Sequence, residues 1–244
     1  MKYASKTDVG RRSGNEDACH VPLAPEDSPF VAVADGMGGH AAGEVASKMV
    51  ITGMLDEMQA PRLPDLSHPL TGAVMNVNLD VYRAAKDDRN LAGMGSTLVC
   101  ALLFPCRYLC ANVGDSRLYH FDGTALKQVS RDHSFVQMLV DSGDITPAEA
   151  RTHPRRNLIM RAMGVDTRVT VDLFDREWKT GDMLLLCSDG LSGPVSDDEM
   201  ADILRQTDRS LDEKCALLVQ RALDNGGTDN ITLVLAENDG GASE

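Results

Sequence analysis

Short apolar runs that end beside an acid and a turn residue recur along this sequence and predict its central strands. The runs and their neighbouring acids are residues 30–34 with Asp35, residues 183–187 with Asp189, and residues 231–236 with Asp229. Runs of this length, bounded by turn residues, are typical of strands that are buried on both faces. Acids at several strand ends that meet at one sheet edge repel one another, so we expect them to require cations.

Apolar residues spaced three or four apart predict two long helices in the first half of the chain. One covers residues 41–59 and the other residues 69–88, with Ser67 placed to cap the second. Two capping boxes, which begin at Ser196 and Ser210, predict helices over residues 196–206 and 211–224. We expect the two long helices to form a hairpin that covers one face of a sheet.

Further strands are predicted where β-branched and aromatic residues lie between turn signals, at residues 3–10, 96–104, 107–113, 116–121 and 169–174. The middle three follow one another without a helix, so we expect an antiparallel meander rather than a parallel winding. Two groups of helices around many antiparallel strands predict an α+β layered sandwich. We expect a single domain over residues 1–244.

Three segments outside these strands and long helices have their own predictions. Residues 132–142 are expected to form a short helix, and residues 237–244 a frayed tail. Residues 143–163 are polar and irregular, which is typical of a basic flap over a site or of a simple surface loop. Within the flap, Arg155, Arg156 and Asn157 are explained equally well by substrate recruitment and by solvated surface charge.

Composition narrows the class of protein. Hydrophobic residues make up 43% of the chain, enough for a core, although aromatic residues supply only 4%. A net charge of −13 disfavours nucleic acid and anionic membranes as partners. The six cysteines are interpreted as reduced residues, mostly of the core. Because we find neither a signal-peptide apolar region nor an apolar run of membrane length, we expect a cytoplasmic location.

Six short motifs occur in a fixed order and carry a family resemblance. They are Arg12-x-x-Asn15-Glu16-Asp17, Asp35-Gly36-Met37-Gly38-Gly39, Gly95-Ser96-Thr97, Gly114-Asp115-Ser116-Arg117, Ser188-Asp189-Gly190-Leu191 and Asp229-Asn230-Ile231-Thr232. With them the chain resembles the PP2C-type, or PPM, metal-dependent serine/threonine protein phosphatases in their compact bacterial form. The resemblance covers residues 7–235 and implies a four-layer α-β-β-α sandwich, with helices outside two antiparallel sheets.

The resemblance also implies a centre of two Mn²⁺ or Mg²⁺ ions, with a weaker third ion in bacterial members. The implied ligands are Asp35 as the bridge, the Gly36 carbonyl on one metal, Asp189 and Asp229 on the other, Glu16 and Asp17 through metal-bound water, and Asp115 with Asp189 at the third site. Carboxylate and carbonyl oxygens are the ligands that such hard cations prefer.

Two residues are expected to act on the substrate. Arg12 resembles the arginine that clamps the phosphate, and its planar guanidinium fork suits that anion. Eukaryotic members tend to carry His directly after the Asp-Gly of the metal loop, where this chain has Met37. His40 is the natural substitute as general acid, with His133 and His153 as weaker candidates. A structural role for His40 at a helix start, and a proton from an aspartate-held water, stay open as alternatives.

The predicted reaction is hydrolysis of phosphoserine and phosphothreonine in proteins, by direct attack of a water or hydroxide that bridges two metals. The expected partners are phosphorylated proteins, including a bacterial-type Ser/Thr kinase that the enzyme opposes, and the expected state is a monomer. Two alternatives stay open. One is a phosphatase of small phosphomonoesters with the same centre, and the other is an inactive phosphoprotein-binding module.

Overall fold

The computed structural model describes residues 1–23, 28–39, 42–59 and 69–240. Eleven strands lie in this part of the chain: β1 Lys2–Asp8, β2 Asp17–His20, β3 Phe30–Met37, β4 Gly95–Ser96, β5 Leu98–Leu103, β6 Arg107–Val113, β7 Arg117–Phe121, β8 Leu126–Gln128, β9 Asp172–Glu177, β10 Met183–Cys187 and β11 Ile231–Glu237. The α-helices in it are α1 Ala42–Gln59, α2 Pro69–Asp87, α3 Phe135–Ser142, α4 Pro147–Thr152, α5 Asp189–Ser192, α6 Asp197–Leu204 and α7 Leu211–Asp224.

The strands form two sheets in which every pairing is antiparallel. The first sheet has the order β1-β11-β10-β7-β8, and the second has the order β2-β3-β5-β6-β9, with the short β4 beside β3. Helices α1 and α2 pack on the second sheet, and α5, α6 and α7 pack on the first. A third apolar cluster fills the space between the sheets. The predicted α-β-β-α sandwich is therefore confirmed.

The layers explain why the central strands read as continuous apolar runs. On β10, Leu184 and Leu186 lie in the cluster between the sheets, while Met183, Leu185 and Cys187 lie in the cluster against the helices. Successive side chains of a strand point to opposite faces, so a strand covered on both faces is apolar at every position. The strand β3 divides between the corresponding clusters in the same way.

The predicted helices agree closely with the structure where it describes them. Helices α1 and α2 pack against each other, and the predicted cap Ser67 lies outside the described residues. Both predicted capping boxes are present, because Ser196 and Ser210 each exchange hydrogen bonds with the glutamate three residues later. None of the helices in the described ranges is long and apolar enough to cross a membrane.

The predicted meander is wrong in its third strand. Strands β5 and β6 pair, but β7 leaves the second sheet and pairs with β10 and β8 in the first. Gly114 in the connection has φ +112°, a conformation that favours glycine and lets the chain change sheets. Residues Asp17–His20 form the four-residue strand β2, where no strand was predicted.

The expected ends of several other elements also differ from the structure. Strand β9 begins at Asp172 rather than at residue 169, and α3 begins at Phe135 behind the cap Ser134 rather than at residue 132. The flap is not wholly irregular, since Thr146 and Glu149 form a capping box that starts α4. The tail expected to fray from Glu237 stays attached at first, because Asn238 is buried and donates to the carbonyl of Pro105.

A short polar chain joins the two sheets at one end of the sandwich. Tyr108 on β6 contacts His120 Nδ1 through its hydroxyl at 3.2 Å, and His120 Nε2 contacts Asp182 Oδ2 at 2.9 Å. We expect Tyr108→Phe to lower the free energy of unfolding by about 1–2 kcal/mol, because it leaves a half-buried ring nitrogen without its partner. Urea unfolding measures this.

The matched control for this prediction is Tyr82→Phe. The Tyr82 ring lies on α2 beneath Lys86, 5.3 Å from its ammonium, and the substitution leaves that contact in place. If both variants unfold at the same urea concentration as the original chain, the Tyr108 hydroxyl contributes nothing to holding the sheets together.

Candidate active site

Acids from distant parts of the chain converge where strands of both sheets end. Asp17 begins β2 and lies opposite Asp35 of β3 in the antiparallel register. Asp189 follows the end of β10, and Asp229 precedes the start of the neighbouring β11. Asp115 lies in the turn through which the chain passes from β6 to β7. We call these five residues the acid cluster.

Hydroxyl groups fix the positions of the acid cluster and link the two sheets beside it. The Ser188 hydroxyl donates to Asp17 Oδ2 at 2.8 Å and accepts from the Thr232 N–H at 3.1 Å. The Asp35 N–H donates to Thr97 Oγ1 at 2.9 Å, and the Thr97 N–H donates back to the Asp35 carbonyl at 2.8 Å. The Gly95-Ser96-Thr97 motif therefore holds the backbone of Asp35.

Dehydration and mutual repulsion raise the pKa values of Asp17, Asp35, Asp115 and Asp189. The pKa of Asp115 rises to about 8 and that of Asp17 to about 7, first through burial and then through the charge of Asp189. The pKa of Asp189 rises to about 6, through loss of hydration and then the charge of Asp229. The pKa of Asp35 lies well above its usual range, through dehydration and then the charges of Asp17 and Asp189. This cluster lacks the positive charge that would let all its members ionise.

The donor set fits hard divalent cations. In the described part of the chain, the buried Oδ1 atom of Asp115 has no hydrogen-bond partner, so it is available as a ligand. Within the same part of the chain, no three acidic, histidine or cysteine side chains form a ready-made metal cage. Backbone carbonyls and water would therefore complete the coordination, as is usual for Mg²⁺.

Arg12 lies at the edge of the cluster. Its Nη2 donates to Asp229 Oδ2 at 2.8 Å, and its Nε donates to the Thr228 carbonyl at 3.2 Å. The Asn230 side chain fixes this region, because it donates to the carbonyls of Val9 and Gly14. Since 54% of the Arg12 side chain is exposed, the guanidinium remains accessible to a ligand in solvent.

Two glycines let the metal loop approach helix α1. A Cβ atom added to Gly36 would lie 2.0 Å from the Gly43 carbonyl oxygen, and one added to Gly43 would lie 2.6 Å from Glu16 Oε2. A side chain at residue 36 would require the backbone to move, and a side chain at residue 43 would displace the Glu16 carboxylate, so this close approach depends on glycine at both positions. Burial raises the pKa of Glu16, and the positive charge of Arg12 offsets only part of this rise.

The structure describes two of the three histidines that were candidates for the general acid. His40 lies outside the described residues. His133 is buried, accepts the Gly114 N–H on Nδ1 at 2.9 Å, and places Nε2 near Arg161 and Asp172. It therefore supports the Asp115 turn and is not free to transfer a proton. The His153 Nδ1 accepts the N–H of Arg155 in the flap.

The family follows from the sequence match. The family model described as "Protein phosphatase 2C" matches residues 8–225. This chain belongs to the protein phosphatase 2C family. "Serine/threonine phosphatase stp" of Listeria monocytogenes is 41% identical over 98% of this chain and 96% of its own length. "Serine/threonine protein phosphatase PstP" of Mycobacterium tuberculosis is also 41% identical, over 97% of this chain but 45% of its own length.

Solved structures of protein phosphatase 2C relatives share the fold. Serine/threonine phosphatase Stp1 from Staphylococcus aureus superposes with a TM-score of 0.91 at 40% identity, covering 97% of this chain and 94% of that one. The catalytic domain of PstP, solved in complex with two manganese ions, superposes with a TM-score of 0.86 at 40% identity and covers 97% of both chains.

A cavity of about 470 Å³ adjoins the acid cluster of this protein phosphatase 2C chain. Asp115 and Asp189 form one side, and Arg156 and Asn157 of the flap form another, while the Arg155 guanidinium lies over the Phe135 ring instead. The flap is anchored here by Arg151, whose Nη2 donates to the carbonyl of Val195 at 3.0 Å.

Sequence reasoning missed a buried ion pair in the wall of this cavity. Arg117 donates to both carboxylate oxygens of Asp132, at 2.7–3.1 Å, and Gln128 donates to the same carboxylate at 2.8 Å. The positive charge of Arg117 opposes the rise in the pKa of Asp115 and of Asp189. Arg117 was within a recognised motif, but nothing in the local sequence indicated Asp132 as its partner.

Proposed function

We propose that this chain hydrolyses phosphoserine and phosphothreonine in proteins and that divalent metal ions at the acid cluster are required. The observation that carries the proposal is an acid cluster in which Asp17, Asp35, Asp115 and Asp189 are dehydrated and have raised pKa values, beside an accessible arginine, in a phosphatase 2C fold. Clustered carboxylates that lack counter-charge match the donor set for two hard cations. The manganese-bound PstP structure supports the same reading.

We assign the ligands by the matching motifs. Asp35 would bridge two ions, with the Gly36 carbonyl on one and Asp189 and Asp229 on the other. Asp17 and Glu16 would hold metal-bound water, and Asp115 with Asp189 would form a third site. Bound Mn²⁺ or Mg²⁺ supplies an activated water and offsets phosphate charge. Ser188 orients the Asp17 carboxylate, and Thr97 holds the backbone of Asp35.

Arg12 is proposed to bind the substrate phosphate. Its Nη1 group makes no hydrogen bond within the described ranges, so donors remain for an oxyanion while Nε stays on Thr228. His40 lies outside the described residues, so its role as general acid stays a prediction. We further propose that the chain is a single-domain, cytoplasmic monomer that opposes a Ser/Thr kinase. This part of the proposal rests on the family resemblance.

Substitution of Arg12 tests its role in phosphate recognition. We expect Arg12→Ala to lower kcat/KM by about 100-fold, mainly through a higher KM, because a charge-assisted pair with the phosphate is lost. Arg12→Lys is expected to restore only part of this loss, because an ammonium lacks the two-pronged geometry. The matched control is Arg11→Ala, a neighbouring exposed arginine. Equal KM values for the Arg12 variants and the original chain would refute phosphate binding by this residue.

The experiment that tests the function is hydrolysis of a phosphothreonine peptide with Mn²⁺, with and without EDTA. We expect turnover that EDTA abolishes and added Mn²⁺ restores. Turnover that is indifferent to EDTA would contradict the proposal.

Two further measurements separate the alternatives. A kcat/KM far higher on small phosphomonoesters than on phosphopeptides would favour a metabolite phosphatase with the same centre. Absence of Mn²⁺ binding in isothermal titration, together with retained phosphopeptide binding, would favour an inactive binding module.

A further inference from the structure

A second cavity lies at the end of the first sheet opposite the acid cluster. Asp189 follows the end of β10, whereas this cavity contacts Met183 at its beginning, and it also contacts Glu237 at the end of β11. The length of β10 separates the two sites by about 15 Å along the sheet. The cavity has a volume of about 630 Å³, with Phe121, Leu204 and Leu211 among its apolar walls.

Positive charge predominates in its lining, in contrast to the chain as a whole, which carries a net charge of −13. Four cationic side chains, Lys2, Arg205, Arg209 and Lys214, line it against the two carboxylates of Asp212 and Glu237. The Lys2 ammonium lies 4.0 Å from Glu237 and Arg209 Nη1 lies 3.3 Å from Glu213, both near the surface, whereas Arg205 is held by Asp202 and by the Thr124 carbonyl. Exposed pairs such as those of Lys2 and Arg209 contribute little, so these two cations can turn to a ligand.

Within the described residues, the ammonium of Lys214 has no oxygen partner. Its side chain is nine-tenths buried, with 6% relative exposure. In the described part of the chain, its ammonium has one hydrogen-bond contact, with the thioether sulfur of Met183 at 3.8 Å, and no carboxylate within ion-pair distance. A thioether is a weak acceptor, and a buried ammonium normally has charged or oxygen partners. Lys214 lines the cavity, so an anion there would supply the missing partner.

The N-terminus of α7 lies in the same wall. Ser210 and Glu213 satisfy each other's N–H groups through the capping box, which leaves the N–H groups of Leu211 and Asp212 without an acceptor inside the helix. The 14-residue helix also directs the positive end of its dipole toward this end. Helix N-termini with free N–H groups are favourable sites for phosphate and carboxylate groups.

We propose that this cavity is a binding site for a phosphate or carboxylate group, held by Lys214, Arg209 and the first turn of α7. The apolar walls have room for a small organic portion attached to that group. The site is separate from the catalytic centre, so occupancy of one does not require occupancy of the other. The ligand is either a free small anion or a phosphorylated side chain of a protein.

The test is a titration of the full-length, Mg²⁺-loaded protein with inorganic phosphate, followed by backbone amide NMR. We expect saturable shifts of the amides of residues 211–215 with a Kd of about 1 mM. The catalytic centre is followed in the same spectra through the amides of residues 35–36 and 229–230. If the chain proves not to be a metal-dependent phosphatase, the α7 shifts are still expected. The proposed function and the proposed anion site can therefore fail independently.

Lys214→Met is the decisive variant, because methionine fills the buried position without the charge. We expect the α7 shifts to require at least about 10-fold more phosphate in this variant, while the shifts at residues 35–36 stay as they were. Lys127→Met, at an exposed lysine outside the cavity, is the matched control and should change neither set. Arg209→Gln, at the rim, provides a second variant and should weaken phosphate binding less.

Two further titrations separate the sources of the anion. If acetate shifts the same amides, the cavity is a general small-anion site. If a phosphothreonine peptide binds at least about 10-fold more tightly than inorganic phosphate, the ligand is a phosphorylated protein. Unsaturable α7 shifts, or equal phosphate affinity in Lys214→Met and the original chain, would overturn the proposal.

Discussion

Asp35→Asn is expected to abolish hydrolysis and, at the same time, to make the metal-free protein more stable at neutral pH. The loss of activity follows from the proposed bridging role, since one substitution weakens both metal sites; we expect kcat/KM to fall by at least about 10⁴-fold. The gain in stability follows from the raised pKa of Asp35, because the folded state disfavours a charge that the unfolded chain accepts freely.

The expected gain in unfolding free energy is about 2 kcal/mol, which raises Tm by about 4–8 °C in a chain of this size. Thermal unfolding in EDTA measures it, and phosphothreonine-peptide hydrolysis with Mn²⁺ measures the activity. Asp80→Asn is the matched control, because 68% of the Asp80 side chain is exposed on α2. We expect Asp80→Asn to leave both quantities nearly unchanged.

Two outcomes would contradict this prediction in different ways. Full activity of Asp35→Asn would remove Asp35 from the metal centre. Lower stability of the metal-free variant would mean that the Asp35 carboxylate is stabilised in the fold, and the repulsion inferred for the acid cluster would be wrong.

The metal-free protein is expected to lose stability as the pH rises from 5 to 8. The raised pKa values of Asp189, Asp17 and Asp115, at about 6, 7 and 8, mean that the folded state holds protons that the unfolded state has released. Stability is therefore greatest below the unfolded pKa and falls as the pH passes through these folded values. Because the acids titrate together, we expect a combined loss of about 3 kcal/mol rather than the sum of single shifts.

Urea unfolding in EDTA at pH 5, 6, 7 and 8 measures this loss. Surface carboxylates with lowered pKa values, such as Glu199, contribute little here, because they are ionised in both states across this range. His133 acts in the opposite direction, since burial lowers its pKa and protonation at pH 5 opposes folding. Subtracting the profile of Asp115→Asn isolates the contribution of Asp115, and saturating Mg²⁺ should flatten the profile of the original chain. A flat metal-free profile would refute the raised pKa values.

Sequence reasoning located the elements whose signals are local. The strands β3, β10 and β11 were predicted within a few residues, because burial on both faces produces an uninterrupted apolar run. The helices α6 and α7 were predicted because a capping box is complete within four residues. Asp35, Asp189 and Asp229 were found because each lies beside one of these strands, whereas Asp17 and Asp115 were found through the family motifs.

The missed features depend on contacts between distant residues. Four residues of β2 are too short for a periodic pattern, and they form a strand because β3 supplies the partner. The passage of β7 into the other sheet depends on its pairing with β10, which is 62 or more residues away in sequence. The Arg117–Asp132 pair and the Lys214 environment likewise appear only when separate elements pack together.

The turn at Asp115 joins the two halves of the sandwich, with β6 in one and β7 in the other. Asp17 and Asp35 belong to strands of the second sheet, whereas Asp189 and Asp229 adjoin strands of the first, so neither half alone contains the complete centre. Exchange of segments between homologous genes would thus preserve catalysis only where the recombined halves keep the same mutual spacing. An intact catalytic centre therefore requires both halves of the sandwich in the same chain.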